Sequence, residues 1–346
     1  MEFMGGKLSF FVCLALLVGL VKMASGACPI HGPAGRRVLS SVKLEPKVPK
    51  YLEKRLKFDF YKKSCPQASG IVEKVVSKYS EIDPTNPAPL MRLFFHDCFV
   101  QGCDASVLLN STTKVVAEKD ASINFSLGDF NIIDEIKAEL EHACPETVSC
   151  ADVLALTAVH SIHQAGGPLY PIELGRRDSL TSYAPSSTTN LPAFSLNISG
   201  LLENFANVGL DLVDLVALSG GHTIGQAHCG AFANRLSPTV DPTLNPAFAA
   251  SLKQQCPVGS NNAVNLDVTT PTRLDQVYYT NLKANKGLLT SDQVLETDPS
   301  TSGLVTANSN FNTFAANFRS AMLAMGNINV LTGTAGQIRL NCRKFN

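Results

Sequence analysis

Apolar side chains recur along most of this chain at the spacing of helices. In SGIVEKVVSKYS, Ile71, Val72, Val75, Val76 and Tyr79 share one face, which predicts a helix with one buried side. FNIIDEIKAELEHA repeats the pattern with Ile132, Ile133, Ile136 and Leu140. CADVLALTAVHSIHQAGGP is more uniformly apolar and predicts a helix deeper in the core, stopped by Gly166, Gly167 and Pro168. DLVDLVALSGG starts on Asp211, a capping residue, and ends on glycines. FNTFAANFRSAMLAMGN places Phe311, Phe314, Phe318, Met322 and Met325 on one side. Alternating strand patterns are scarce, and segments rich in Pro, Ser and Asn, such as YAPSSTTNLPAF, read as loops. The expected fold class is mainly α, without an internal repeat.

The N-terminal 57 residues follow a different pattern. Lys7, the apolar run LSFFVCLALLVGLV and the small residues of MASGA form a secretory signal over residues 1–26. The run is shorter than the roughly 18 residues needed to span a bilayer, so a membrane anchor is disfavoured. Residues 27–57 are polar and carry eight Lys or Arg against Glu45 and Glu53, a net +6. They read as a basic extension, a propeptide or a disordered leader.

The whole chain has 346 residues, 45% of them apolar and 17% charged, which suits a well-folded globular protein. Formal net charge is zero, so nothing in it calls for nucleic acid or another polyanion. With +1 in the signal and +6 in the extension, residues 58–346 carry −7.

There are ten cysteines. Cys13 lies in the signal and Cys28 near its end. The other eight, in a secreted chain, favour four disulfides. Spacing alone leaves about 105 pairings open. No pair has zinc-knuckle spacing.

Two of the seven histidines stand in unusual settings. His96 follows Arg92 by four residues, so on a helix both project from one face, and Phe95 would help keep the space dry. A guanidinium there lowers the imidazole pKa and leaves a neutral base. A satisfied core histidine explains the local sequence equally well. His222, in LSGGHTIG, has small neighbours that would let a flat cofactor approach, or it is a helix C-cap. His142, His160, His163 and His228 read as surface or packing residues.

Taken together, RLFFHDCFVQGCDASVLL, CPETVSCADVLAL, LGRRDS, NLPAF, DLVALSGGHTIGQAHC, TPTRLDQVYY, GLLTSDQVL and LTGTAGQIRLNC resemble the secreted plant haem peroxidases, often called class III. The resemblance runs from about Phe58 to Cys342 in the family's order. It implies the haem peroxidase fold, all-α, with haem b between a distal and a proximal lobe, over residues 58–346.

The resemblance also assigns roles. His222 matches the axial ligand of the haem iron and Asp292 the carboxylate behind it, a bond that gives the imidazole imidazolate character. His96 matches the distal base, Arg92 the distal arginine and Phe95 the aromatic that restricts access to the iron. Asn124 matches the amide that holds His96, and Glu118 a carboxylate supporting it. Pro192 matches the substrate-edge proline. Two Ca2+ sites are implied. Asp97, Asp104 and Ser106 with the carbonyls of Val100 and Gly102 match the first; Thr223, Asp267, Thr270 and Asp275 with the Arg273 carbonyl match the second. The family's disulfides would be Cys65–Cys144, Cys98–Cys103, Cys150–Cys342 and Cys229–Cys256.

Some features depart from the pattern. After Asn124, SLGDF is one residue shorter than the family's stretch and lacks its arginine. Ala231 stands where a phenylalanine is common. The chain has no tryptophan, so a surface tryptophan radical is excluded, and the basic extension is longer than the family needs. Sequons occur at Asn110, Asn124 and Asn197; glycans are expected at Asn110 and Asn197 but not at Asn124, beside the haem.

The expectation is therefore a monomeric, secreted peroxidase that reduces hydrogen peroxide and oxidises small phenolic donors one electron at a time. No nucleic acid and no membrane span are expected. The short tail after Cys342 favours the cell wall space over the vacuole. One rival is a haem-binding wall protein with little turnover, and another is a disulfide-rich module without haem.

Overall fold

A computed structural model describes residues 56–346. The proposed signal and all but the last two residues of the basic extension lie outside the described residues. The chain enters the fold at Leu56, which is buried, and at Lys57, which exchanges two backbone hydrogen bonds with Leu174, each 2.9 Å.

The protein is mainly helical, as the periodicity predicts. The first four helices are α1 (Ala68–Ile82), α2 (Pro87–Val100), α3 (Phe130–Ala143) and α4 (Cys150–Gln164). α4 is buried along almost its whole length, packs against α1 and α2, and starts on a Ser149 cap that accepts from the Asp152 N–H at 3.1 Å. α2 and α4 thus put two apolar surfaces together, and the polar edge of α2 is left for the site.

The second half holds α5 (Ala184–Asn190), α6 (Ile198–Asn207), α7 (Leu212–Ser219) and α8 (Pro246–Gln255). It continues with α9 (Val277–Lys283), α10 (Thr290–Thr297), α11 (Ser302–Asn308) and α12 (Phe311–Met325). α7 packs on α12 and begins with a capping box between Asp211 and Asp214. The one sheet among the described residues pairs β1 (Gln226–His228) antiparallel with β2 (Ala263–Asn265).

Among the described residues four disulfides join Cys65–Cys144, Cys98–Cys103, Cys150–Cys342 and Cys229–Cys256. The Cys150–Cys342 bridge ties the start of the central helix to the C-terminal segment across 192 residues.

Two expectations are corrected. APSSTTN is helix α5 rather than loop. It has no apolar stripe to announce it; Pro185 in its first turn and burial of Ala184 and Ser187 hold it. Of the two glycines before His222, Gly220 also acts differently. A Cβ on Gly220 would sit 2.6 Å from the Phe314 ring and clash with the Tyr279 hydroxyl, so Gly220 makes room for core aromatics behind the site. A Cβ on Gly221 would meet only the Met91 methyl, at 3.2 Å.

Candidate active site

A cavity of about 1010 Å³ opens between α2 and the turn that follows α7. Arg92, Phe95 and His96 line one side, His222 and Asp292 the other, and Pro192, Phe194 and Ala231 are among its walls.

On α2, the four-residue spacing brings Arg92 Nε to 2.9 Å from His96 Nε2, to which it donates. His96 Nδ1 lies 2.7 Å from Asn124 Oδ1. The Asn124 amide nitrogen donates to the Glu118 carbonyl at 2.7 Å and to Ser187 Oγ at 3.2 Å, so its oxygen must face His96. The imidazole therefore carries its proton on Nδ1 and presents the Nε2 lone pair to the cavity. Burial, with Arg92 second, lowers the His96 pKa to about 3, while the Asn124 bond raises it. The sequence pointed to arginine as the cause; desolvation is the larger one, because His96 is almost fully enclosed. Phe95 meets the imidazole edge-on, with ring centroids 5.2 Å apart.

Across the cavity, His222 sits on the short 3₁₀ turn Gly220–Thr223. Its Nδ1 donates to Asp292 Oδ1 at 2.7 Å, which leaves Nε2 as a free lone pair. Asp292 is buried in the first turn of α10, where its Oδ2 accepts from the Leu289 N–H at 3.0 Å. Tyr278 on α9 donates to Asp292 Oδ1 at 3.0 Å, a partner the sequence reading missed.

These residues fit a haem group. An imidazole with one nitrogen held and the other free is a metal ligand oriented by its outer partner. The opposite wall supplies a base and a cation; His96 has the same tautomer as His222, but its Nε2 lone pair accepts from Arg92 and its Nδ1 is backed by an amide rather than a carboxylate. The Arg92 side chain also anchors the altered stretch after Asn124, donating from Nη1 to Ser126 Oγ at 2.9 Å. In that stretch Asp129 adopts φ 58°. Ala231 leaves its part of the wall without a ring, whereas Phe194, 46% exposed, puts one at the mouth.

The sets suggested for calcium also converge. Asp97 is fully buried; Oδ2 accepts from the Ala105 N–H at 2.9 Å, yet Oδ1 has no hydrogen-bond partner. Burial and then Asp104 push its carboxyl well above the usual range, the signature of a carboxylate lacking a counter-charge. Asp104 Oδ1 accepts from the Ser106 N–H at 3.0 Å, and the Val100 carbonyl accepts from Asn190 at 2.6 Å. Gly102 turns at φ 131°. Ser106 Oγ donates to Glu118 Oε2 at 3.1 Å. Glu118 also accepts from Gln101 at 2.6 Å, and burial raises its pKa to about 7. Glu118 thus joins this cluster to the Asn124 amide.

At the second cluster, Thr223 Oγ1 lies 3.4 Å from Asp267 Oδ2, 3.2 Å from the Arg273 carbonyl and 3.4 Å from Asp275 Oδ1. Thr270 Oγ1 lies 3.2 Å from the same Asp275 oxygen. One hydroxyl proton cannot serve three acceptors, so this crowd of oxygens suits a hard cation. No three His, Cys, Asp or Glu side chains form a metal-binding group among the described residues; each cluster draws on two carboxylates with hydroxyls and carbonyls.

The family model described as Peroxidase matches residues 71–310. The chain belongs to the peroxidase family. Similar plant peroxidases include one named Peroxidase 2 from Cucumis sativus, 47% identical over 291 residues, covering 83% of this chain and 100% of the relative. Peroxidase 2 from Oryza sativa subsp. japonica is 48% identical over 298 residues, covering 84% and 93%. Peroxidase 28 from Arabidopsis thaliana is 43% identical over 301 residues, covering 84% and 94%. The protein is thus a peroxidase of the plant class III kind, an oxidoreductase, and its family uses haem and calcium in general. A haem-binding wall protein with little turnover is not favoured. No helix among the described residues is long and apolar enough to cross a membrane.

Proposed function

We propose that this peroxidase holds haem b between His96 and His222, with two Ca2+ ions, reduces hydrogen peroxide and oxidises small phenolic donors. The observation that carries the reading is the pairing of two differently prepared histidines across one cavity: His96 buried, backed by Asn124 and accepting from Arg92 at Nε2, and His222 backed by Asp292. The haem would supply an iron that takes two oxidising equivalents from peroxide and returns to rest in two one-electron steps.

The protein's own residues prepare and complete that chemistry. His96 Nε2 takes the proton from one peroxide oxygen and delivers it to the other, which leaves as water. For this the peroxide displaces the Arg92 Nε–H from the same lone pair. Arg92 then stabilises the negative charge on the departing oxygen. Phe95 restricts access, and Pro192 with Phe194 offers an apolar edge where a phenol docks.

In this reading residues 1–26 are a signal peptide, residues 27–57 a leader, and the mature protein a monomer in the cell wall space. Asn110 and Asn197 are both exposed and carry the glycans. Asn197 caps α6 through Oδ1, which leaves its amide nitrogen for the sugar. Asn124 is buried and fully used. A Soret band together with saturable, peroxide-dependent phenol oxidation that collapses in His96→Ala supports the assignment. Equal rates in the two proteins would overturn it. Intact mass of the secreted protein reads the N-terminus and the glycans.

A further inference from the structure

We infer that Tyr278 is a positioning residue that limits how strongly Asp292 can polarise His222. The inference rests on the reading of His222 as the iron ligand. Asp292 Oδ1 accepts two hydrogen bonds at once, from His222 Nδ1 at 2.7 Å and from the Tyr278 hydroxyl at 3.0 Å. The second oxygen is committed to the Leu289 N–H at 3.0 Å. The oxygen that draws charge into the imidazole is therefore shared.

Two donors on one acceptor weaken each other, because each withdraws the electron density the other needs. Asp292 is buried, so no bulk water relieves the competition. The Tyr278 hydroxyl has no other hydrogen bond among the described residues. Its ring is fixed edge-on to His222, with centroids 6.4 Å apart, and to Tyr279, 5.0 Å apart. Tyr279 is in turn tied to the Val216 carbonyl at 2.9 Å. The packing aims the phenol at one oxygen.

The consequence is a graded ligand. With Asp292 unshared, His222 would approach an imidazolate, which favours peroxide cleavage but lowers the driving force for oxidising a donor. Tyr278 holds His222 between an imidazolate and a neutral imidazole.

The test compares haem-loaded wild type, Tyr278→Phe, Asp292→Asn and the double variant. The readouts are the ferric/ferrous reduction potential and the iron–histidine stretching band of the ferrous protein. Tyr278→Phe is expected to move the potential to more negative values and the band to higher frequency. Asp292→Asn is expected to do the opposite, and to abolish most of the response to Tyr278→Phe. A Tyr278→Phe protein with unchanged potential and band overturns the inference. Should that variant not fold, 3-fluorotyrosine at position 278, a stronger donor of nearly the same shape, shifts both readouts the other way; no shift again overturns it. A wild type with bound haem but no iron–histidine band removes the haem-ligand reading and this inference together.

Discussion

Asn124 Oδ1 accepts the Nδ1 proton of His96 at 2.7 Å, and that bond decides which nitrogen of the distal histidine is the base. His96→Leu is expected to lower kcat/KM for hydrogen peroxide by about 10²–10⁴, the usual worth of a positioned base. Asn124→Val is expected to cost less, since the base survives but loses its fixed tautomer. Stopped-flow rates of the peroxide reaction check the order. An Asn124→Val protein as slow as His96→Leu would mean that the amide does more than orient.

Phe194, 46% exposed, is the most exposed Phe ring among the described cavity walls; Phe95 is partly buried, and Phe205 and Phe318 are buried. A stacked aromatic pair is worth about 0.5–1.5 kcal/mol, or roughly a 2- to 13-fold change in affinity. Phe194→Ala should raise KM for a phenolic donor by that factor and leave the peroxide rate and iodide oxidation unchanged. An unchanged phenol KM would place the donor elsewhere.

The orphan Asp97 Oδ1 and the oxygens around Thr223 predict a calcium-dependent fold. Ligand at 100 times its dissociation constant adds about 2.7 kcal/mol. Chelation should lower the melting temperature, with recovery on adding Ca2+ but not Mg2+, whose octahedral demands differ. Asp97→Asn should blunt that response. A melting curve indifferent to chelator would contradict both sites.

His160 is buried between α1 and α4 with Nε2 at 3.0 Å from Ser69 Oγ and Nδ1 without a partner. Burial lowers its pKa, His163 lowers it further, and Glu73 acts in the opposite sense. In the unfolded chain the group takes up a proton near pH 6.5; in the native protein it does so only at lower pH. Stability therefore falls as pH drops below about 6.5, by at most about 1.4 kcal/mol per unit from this residue. His160→Gln should flatten that slope in denaturant titrations between pH 5 and 7.5. Parallel curves would remove His160 as a source.

The Cys150–Cys342 bridge closes 192 residues and Cys98–Cys103 only 5. In the chain-entropy account their losses are about 5 and about 2 kcal/mol. Replacing each pair by serine and comparing denaturant midpoints tests that order.

Much of the fold was legible because helices advertise themselves locally. The apolar spacing of FNIIDEIKAELEHA marks α3 residue for residue, the Asp211 cap marks the start of α7, and the Arg92–His96 spacing marks one face of α2. The cysteine count announced four bridges but not their partners. His222 and Asp292, 70 residues apart, were paired only through family motifs, since no periodicity links such distant positions.

Tertiary structure alone decided the rest. α5 has too few apolar residues to signal a helix, and it forms where Ala184 and Ser187 are buried, Ser187 against Asn124. Gly220 looked like room for a cofactor, but that space belongs to Tyr279 and Phe314. Tyr278 carries no mark in the chain that says it shares an oxygen of Asp292. Periodicity reports which side of an element is buried; which polar atoms meet there depends on how distant elements pack, and hydrogen bonds form only within about 3 Å.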